Sequence, residues 1–150
     1  MAQFRMSQLV EAPPEAVWRE LADLAGHAEW MADAESIEFT SEQRRGVGTT
    51  FDCATRIGPL RTRDRMEVTR WQEGRELGVR HQGLVTGEGV FTLRPADPGG
   101  RRTRLDWVEQ LRFPWYLGGP LTALLARPVL RGIWRGNLRR LASRVVTPSR

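Results

Sequence analysis

Between Val47 and Phe113 the chain runs through alternating apolar and polar residues, interrupted only by Gly58-Pro59, Gln72-Glu73-Gly74, Gly83 and Asp97-Pro98-Gly99-Gly100. Each interruption is a turn signal. Connections this short join strands only as hairpins, because a parallel crossover needs about a dozen residues or more. The pattern therefore predicts an antiparallel meander with strands over 47–57, 60–70, 75–81, 85–94 and 103–113.

The flanks of this meander read differently. Over 2–11, Phe4, Met6 and Val10 alternate with Arg5, Ser7 and Glu11, which predicts a half-buried first strand ended by Ala12-Pro13-Pro14. Val17, Trp18, Leu21 and Leu24 then fall at helical spacing behind Pro14, predicting a helix over 15–24 that stops before Gly26. A second short helix over 27–32 carries Trp30 and Met31, and Ile37 and Phe39 mark a short strand. After Pro114 the period becomes helical again, with Leu121, Leu124, Leu125, Leu130, Ile133, Trp134, Leu138, Leu141 and Val145 forming a stripe. A helix over 120–146 spans about 40 Å at about 1.5 Å per residue, enough to cross a sheet. Pro128 is expected to kink it. With 150 residues, 40% of them hydrophobic, the chain suits one domain over 1–146 and a tail over 147–150.

Composition narrows the chemistry. All 23 residues counted as Lys+Arg are arginine, so no lysine is available for a Schiff base, a pyridoxal cofactor or a P-loop. A single cysteine, Cys53, and two histidines, His27 and His81, argue against a disulfide and against a metal site. No cofactor is expected. Acid–base work falls to Asp, Glu, His27, His81, Cys53 or Tyr116. The net charge of +5 raises the question of nucleic acid. However, Arg61, Arg63, Arg65, Arg80, Arg94, Arg102, Arg104 and Arg112 alternate along strands among Glu67, Glu76, Glu88 and Asp106, the pattern of a solvated outer sheet face. No long apolar run and no apolar leader interrupts the reading of a cytoplasmic protein.

The order strand, two short helices, antiparallel meander and long terminal helix resembles the SRPBCC/START-like (Bet v 1-like) superfamily, which includes polyketide cyclase/dehydrase and lipid-transport proteins. The resemblance covers nearly the whole chain. It is carried locally by Ala12-Pro13-Pro14-Glu15-Ala16-Val17-Trp18, by the Trp30 helix followed by Ile37, by Gly46-Val47-Gly48-Thr49 and by Trp71 at a strand end. It implies an α+β helix-grip fold: a curved antiparallel sheet of about seven strands and a long C-terminal helix enclosing a hydrophobic cavity. The ligand it implies is a hydrophobic small molecule. Cyclases, carriers and receptors share such folds, so the fold alone does not choose among them.

Alternation assigns the inward face. Hairpin counting pairs Cys53 with Asp64 and Asp64 with His81, an inward row with neighbours about 4.8 Å apart. It also sets Gly89 opposite Trp107 and Gly87 opposite Glu109. Asp64 beside His81 forms an acid–base pair, or else a satisfied buried pair without chemistry. Glu109 orients a ligand carbonyl or bonds to Gln8 of the first strand, the latter being favoured. Trp30, Met31, Phe51, Cys53, Met66, Val79, Phe91, Trp107, Phe113, Trp134 and Leu138 are expected to line the cavity, with Asn137 donating into it or facing its rim. The 113–120 segment reads as a lid or a hydrophobic linker. Two functions compete: acid–base cyclisation, dehydration or isomerisation of a polyketide-like metabolite by Asp64, His81 and Glu109, and non-catalytic carriage of a lipid or quinone-like molecule. A third reading, subordinate to both, docks the Arg-rich helix and the aromatic segment on anionic membrane.

Overall fold

The computed structural model describes residues 2–146, apart from the side chains of Leu117, Pro120 and Ala123. The tail expected over 147–150 lies outside the described residues. Seven strands, β1 (Ala2–Val10), β2 (Ala34–Phe39), β3 (Thr50–Ile57), β4 (Leu60–Gln72), β5 (Glu76–Gln82), β6 (Thr86–Pro95) and β7 (Thr103–Arg112), form one antiparallel sheet in the order β1-β7-β6-β5-β4-β3-β2. The meander supplies five consecutive neighbours. Helices α1 (Pro14–Ala22) and α2 (His27–Trp30) carry the chain from one edge strand to the other.

Helix α1 starts with Pro14, whose missing N–H costs nothing in a first turn. It ends two residues before the expected limit, because Asp23 leaves the helical region at φ −78 and ψ 85. A short 3-10 turn, Trp115–Leu117, leads through the left-handed Gly118 (φ 91) into α3, Gly119–Val146, which carries Pro128 in its interior. Helix α3 packs chiefly on β1. Phe4, Val10, Val17, Leu21, Leu24, Val68, Leu77, Leu105, Leu138 and Leu141 are fully buried between sheet and helices. Burying such side chains is the main favourable term in folding, about 1.5–3 kcal/mol each.

Two registers depart from the hairpin count. Cys53 does pair with Asp64. His81, however, pairs with Met66, because β4 runs on to Gln72 and the register shifts between Val68 and Arg70. Met66, Val68 and Trp71 all pack toward the core, an odd spacing that a strand can satisfy only by inserting an extra residue, here Thr69. On the far side, Phe91 pairs with Trp107 and Gly89 with Glu109. The expected pairs, Gly89 with Trp107 and Gly87 with Glu109, are thus displaced by two residues.

Candidate functional site: a polar dyad in an apolar cavity

Between the sheet and α3 lies a cavity of about 320 Å³. Strands β3 to β7 contribute alternate residues, among them Phe51, Cys53, Met66, Val79, Phe91, Trp107 and Leu111, and α3 contributes Ala126, Val129, Leu130 and Trp134. Three lining residues are also exposed: Leu60 beside the β3–β4 turn, Leu84 in the β5–β6 turn and Val129 on α3. The mouth therefore lies between those hairpin tips and the first half of α3. Phe113 lines the wall, whereas Trp115 and Tyr116 are turned outward and exposed. Tyr116 is thereby removed from the acid–base candidates inside.

Within this apolar wall, His81 and Glu109 meet. His81 Nε2–H donates to Glu109 Oε2 at 3.0 Å, and Trp107 Nε1–H donates to Glu109 Oε1, also at 3.0 Å. The carboxylate is 5% exposed and the imidazole 21%. The two residues stand on β5 and β7 with β6 between them, and Gly89 makes the approach feasible. A Cβ added there would lie 2.3 Å from Glu109 Oε1. Burial alone would depress the His81 pKa, but the charge and hydrogen bond of Glu109, helped by Asp64 and Asp33, raise it above the ordinary 6.5. The second ring nitrogen of His81 has no hydrogen-bond partner among the described residues, and the ring lines the cavity. It is free to meet a ligand.

The expected Asp64–His81 pair is therefore replaced by Glu109–His81. Asp64 instead accepts from Thr62 Oγ1 at 3.1 Å and packs over Gly83, where a Cβ would fall 1.9 Å from Asp64 Oδ1. It lines the cavity near the hairpin tips and acts on His81 through its charge. The favoured Glu109–Gln8 bond is also absent: Gln8 lies opposite Leu105, its amide donates to the Leu9 carbonyl, and Glu109 lies opposite Phe4.

Asn137 does not reach into the cavity. Fully buried, it accepts from the Ala32 N–H at 2.9 Å, donates to Asp33 Oδ1 at 2.8 Å and accepts from the Arg140 guanidinium. Arg140 also donates to the Trp30 carbonyl at 2.9 Å. Asn137 thus staples α3 to the loop between α2 and β2. Trp30 and Leu138 are core residues behind the wall, not lining. Among the lining residues absent from the expected set, two are ionisable, Asp33 and His27. His27 Nε2–H donates to the Leu21 carbonyl at 2.7 Å, and burial holds its pKa below the ordinary value, so its ring is neutral. Asp33 was detectable only through its partner, since a polar Asn137 on an apolar helix stripe requires a polar group opposite.

Burial pushes the Cys53 thiol up to about 11, despite its contact with Thr55 Oγ1. It is a wall group rather than a nucleophile. Among the described residues no cluster of three or more His, Cys, Asp or Glu side chains is arranged to hold a metal ion.

The fold and this site can be set beside known proteins. The aromatase/cyclase Zhui from a Streptomyces species superposes with a TM-score of 0.78 at 18% identity, covering 97% of this chain and 93% of that one. A Thermus thermophilus protein gives 0.75 at 21% identity and 97% coverage of both chains. A Thermobifida fusca protein gives 0.75 at 19% identity, covering 97% of this chain and 93% of its own. These likenesses establish the helix-grip architecture. No curated protein matches by sequence. Residues 1–146 match the family described as polyketide cyclase/dehydrase and lipid transport, and with a match over that length the chain belongs to that family.

Proposed function

We propose that the protein binds a hydrophobic, carbonyl-bearing small molecule in the cavity and moves a proton on it through His81. The observation that carries this reading is the buried Glu109–His81 dyad in a mainly apolar wall. Glu109 fixes the imidazole and favours its protonated form, and Trp107 holds Glu109. The free ring nitrogen can then donate to a carbonyl oxygen or a departing hydroxyl, as acid catalysis of cyclisation or dehydration requires. Asp64, nearer the mouth, is the candidate acceptor of the proton lost from carbon. Membership of the polyketide cyclase/dehydrase and lipid transport family supports a polyketide-like substrate.

A second reading, carriage of a lipid or quinone-like molecule without chemistry, is favoured by one feature. Both oxygens of Glu109 already have protein donors, so the carboxylate is satisfied without a ligand. Native mass spectrometry of the purified protein, with extraction of what is bound, separates the two. A retained polyfunctional carbonyl compound, turned over by the wild type and not by Glu109→Gln or His81→Gln, supports the enzyme. A retained fatty acid or quinone, bound equally by both variants, supports the carrier.

A further inference from the structure

The first half of α3 has two apolar faces. One, with Ala126 and Leu130, closes the cavity. The other is formed by Leu121, Leu124, Leu125, Pro128 and Val129, at the i, i+3, i+4, i+7, i+8 spacing of a buried stripe. It points to water instead. Leu125 is 70% exposed, and just before the helix Trp115 is 85% exposed with Tyr116 beside it. A contiguous apolar surface of this kind marks an interaction site.

The charges that follow it along the chain are of one sign. Every charged residue after Glu109 is an arginine. Along the outward face of α3 the leucines give way to Arg135 and then Arg139, the first about 9 Å beyond Val129 at about 1.5 Å per residue. Among the described residues neither arginine forms an ion pair, and nor do Arg61, next to Leu60 at the mouth, and Arg112. On the outer sheet face Arg63, Arg65, Arg80 and Arg94 each have a carboxylate partner, whereas Arg61 and Arg112 of that same face have none among the described residues. The cavity mouth, with Leu60, Leu84 and Val129, opens beside this same surface.

We propose that the outward face of α3, with Trp115 and Tyr116, docks on the surface of an anionic lipid bilayer and presents the cavity mouth to it. Exposed leucines and indole belong at the acyl–headgroup boundary, and arginines further along the helix meet lipid phosphates. No helix among the described residues is long and apolar enough to cross a membrane, so the contact is interfacial. A hydrophobic ligand would pass between bilayer and cavity without crossing water. The surface serves a catalyst and a carrier alike.

The test is flotation of the full chain with vesicles of phosphatidylcholine alone and of phosphatidylcholine mixed with phosphatidylglycerol. The protein is expected to float with the mixed vesicles only, and to be released by added salt. Leu124→Glu/Leu125→Glu should weaken flotation about tenfold or more, and Arg135→Glu/Arg139→Glu should do so separately, with circular dichroism unchanged. Flotation with neither vesicle type overturns the proposal in favour of an acidic protein partner, and equal flotation with both removes the role of the arginines. A soluble dimer in sedimentation equilibrium that Leu124→Glu/Leu125→Glu dissolves also overturns it, assigning the face to a second copy of the chain.

Discussion

His81 and Glu109 stand two strands apart, on β5 and β7, yet their side chains meet at 3.0 Å over β6. Backbones two strands apart are separated by about 10 Å. The side chains close that distance because Gly89, the residue of β6 opposite Glu109, has no Cβ to stand in the way. A proton-sharing pair is thus created by a missing side chain on a third strand.

Replacing Glu109 by glutamine removes the charge that raises the His81 pKa and leaves the burial that lowers it. The His81 titration should move down, below its wild-type position, while that of His27 stays in place. Two-dimensional NMR of the ring protons follows both residues, and an unmoved His81 would contradict the pairing.

The same pair makes stability depend on pH in a defined direction. The folded-state pKa of His81 is raised, so the folded protein binds its proton more tightly than the unfolded chain does. That contribution is fully present below the unfolded value of about 6.5 and is lost as pH rises through the raised folded value. Urea denaturation should therefore show the gap between wild type and Glu109→Gln narrowing as pH rises from about 6.5 through the raised folded-state value.

A methyl group at position 89 has no room. Gly89→Ala should displace the Glu109 carboxylate, lower the His81 pKa as Glu109→Gln does, and cost about 1–3 kcal/mol in stability. A variant with unchanged stability and an unchanged His81 titration would show that the carboxylate has another place to go.

Val79 and Val68 are cross-strand partners with different surroundings: Val79 lines the cavity, and Val68 is fully buried outside it. Val79→Phe should fill ligand space, abolishing uptake of a hydrophobic fluorescent probe while changing stability by less than about 1 kcal/mol. Val68→Phe should cost about 1–3 kcal/mol and spare uptake in whatever fraction folds. Thermal unfolding and probe titration of both variants check the contrast.

Asn137→Leu keeps the helix stripe apolar but leaves the Ala32 N–H and one oxygen of Asp33 without their partner. Abandoned polar groups of this kind cost about 1–3 kcal/mol. Amide exchange should speed up in the loop between α2 and β2 ahead of the rest of the chain, which identifies the residue as a staple.

Most of the architecture could be read from the chain because short turns leave few topologies. Gly58-Pro59 fixes the β3–β4 register by itself, and Cys53 does meet Asp64. The next hairpin could not be counted from its turn. Trp71 continues the buried face of Met66 and Val68 out of phase, and this break in alternation is the one trace of the extra residue in β4. Missing it misassigned the partner of His81. Glu109 was identified as an inward acid, but its neighbour depended on β6 registers that alternation fixes only to within two residues. Asp33 left no periodic signal, being a loop residue whose place is set by Asn137 more than a hundred positions later.

The extra residue in β4 also divides the sheet into two territories. Before it, Thr62, Asp64 and Met66 face the ligand space; after it, Trp71 turns to α1 and packs edge-on against Trp18. Beyond β4 the division continues, with Val79, Gly89 and Trp107 on one side and Leu77, Leu93 and Leu105 on the other. Substitutions at first-group positions outside the dyad's support, such as Thr62, Met66 and Val79, are free to diversify what is bound, because the second group carries the fold. A lineage of such proteins could change its cargo repeatedly and inherit the same scaffold each time.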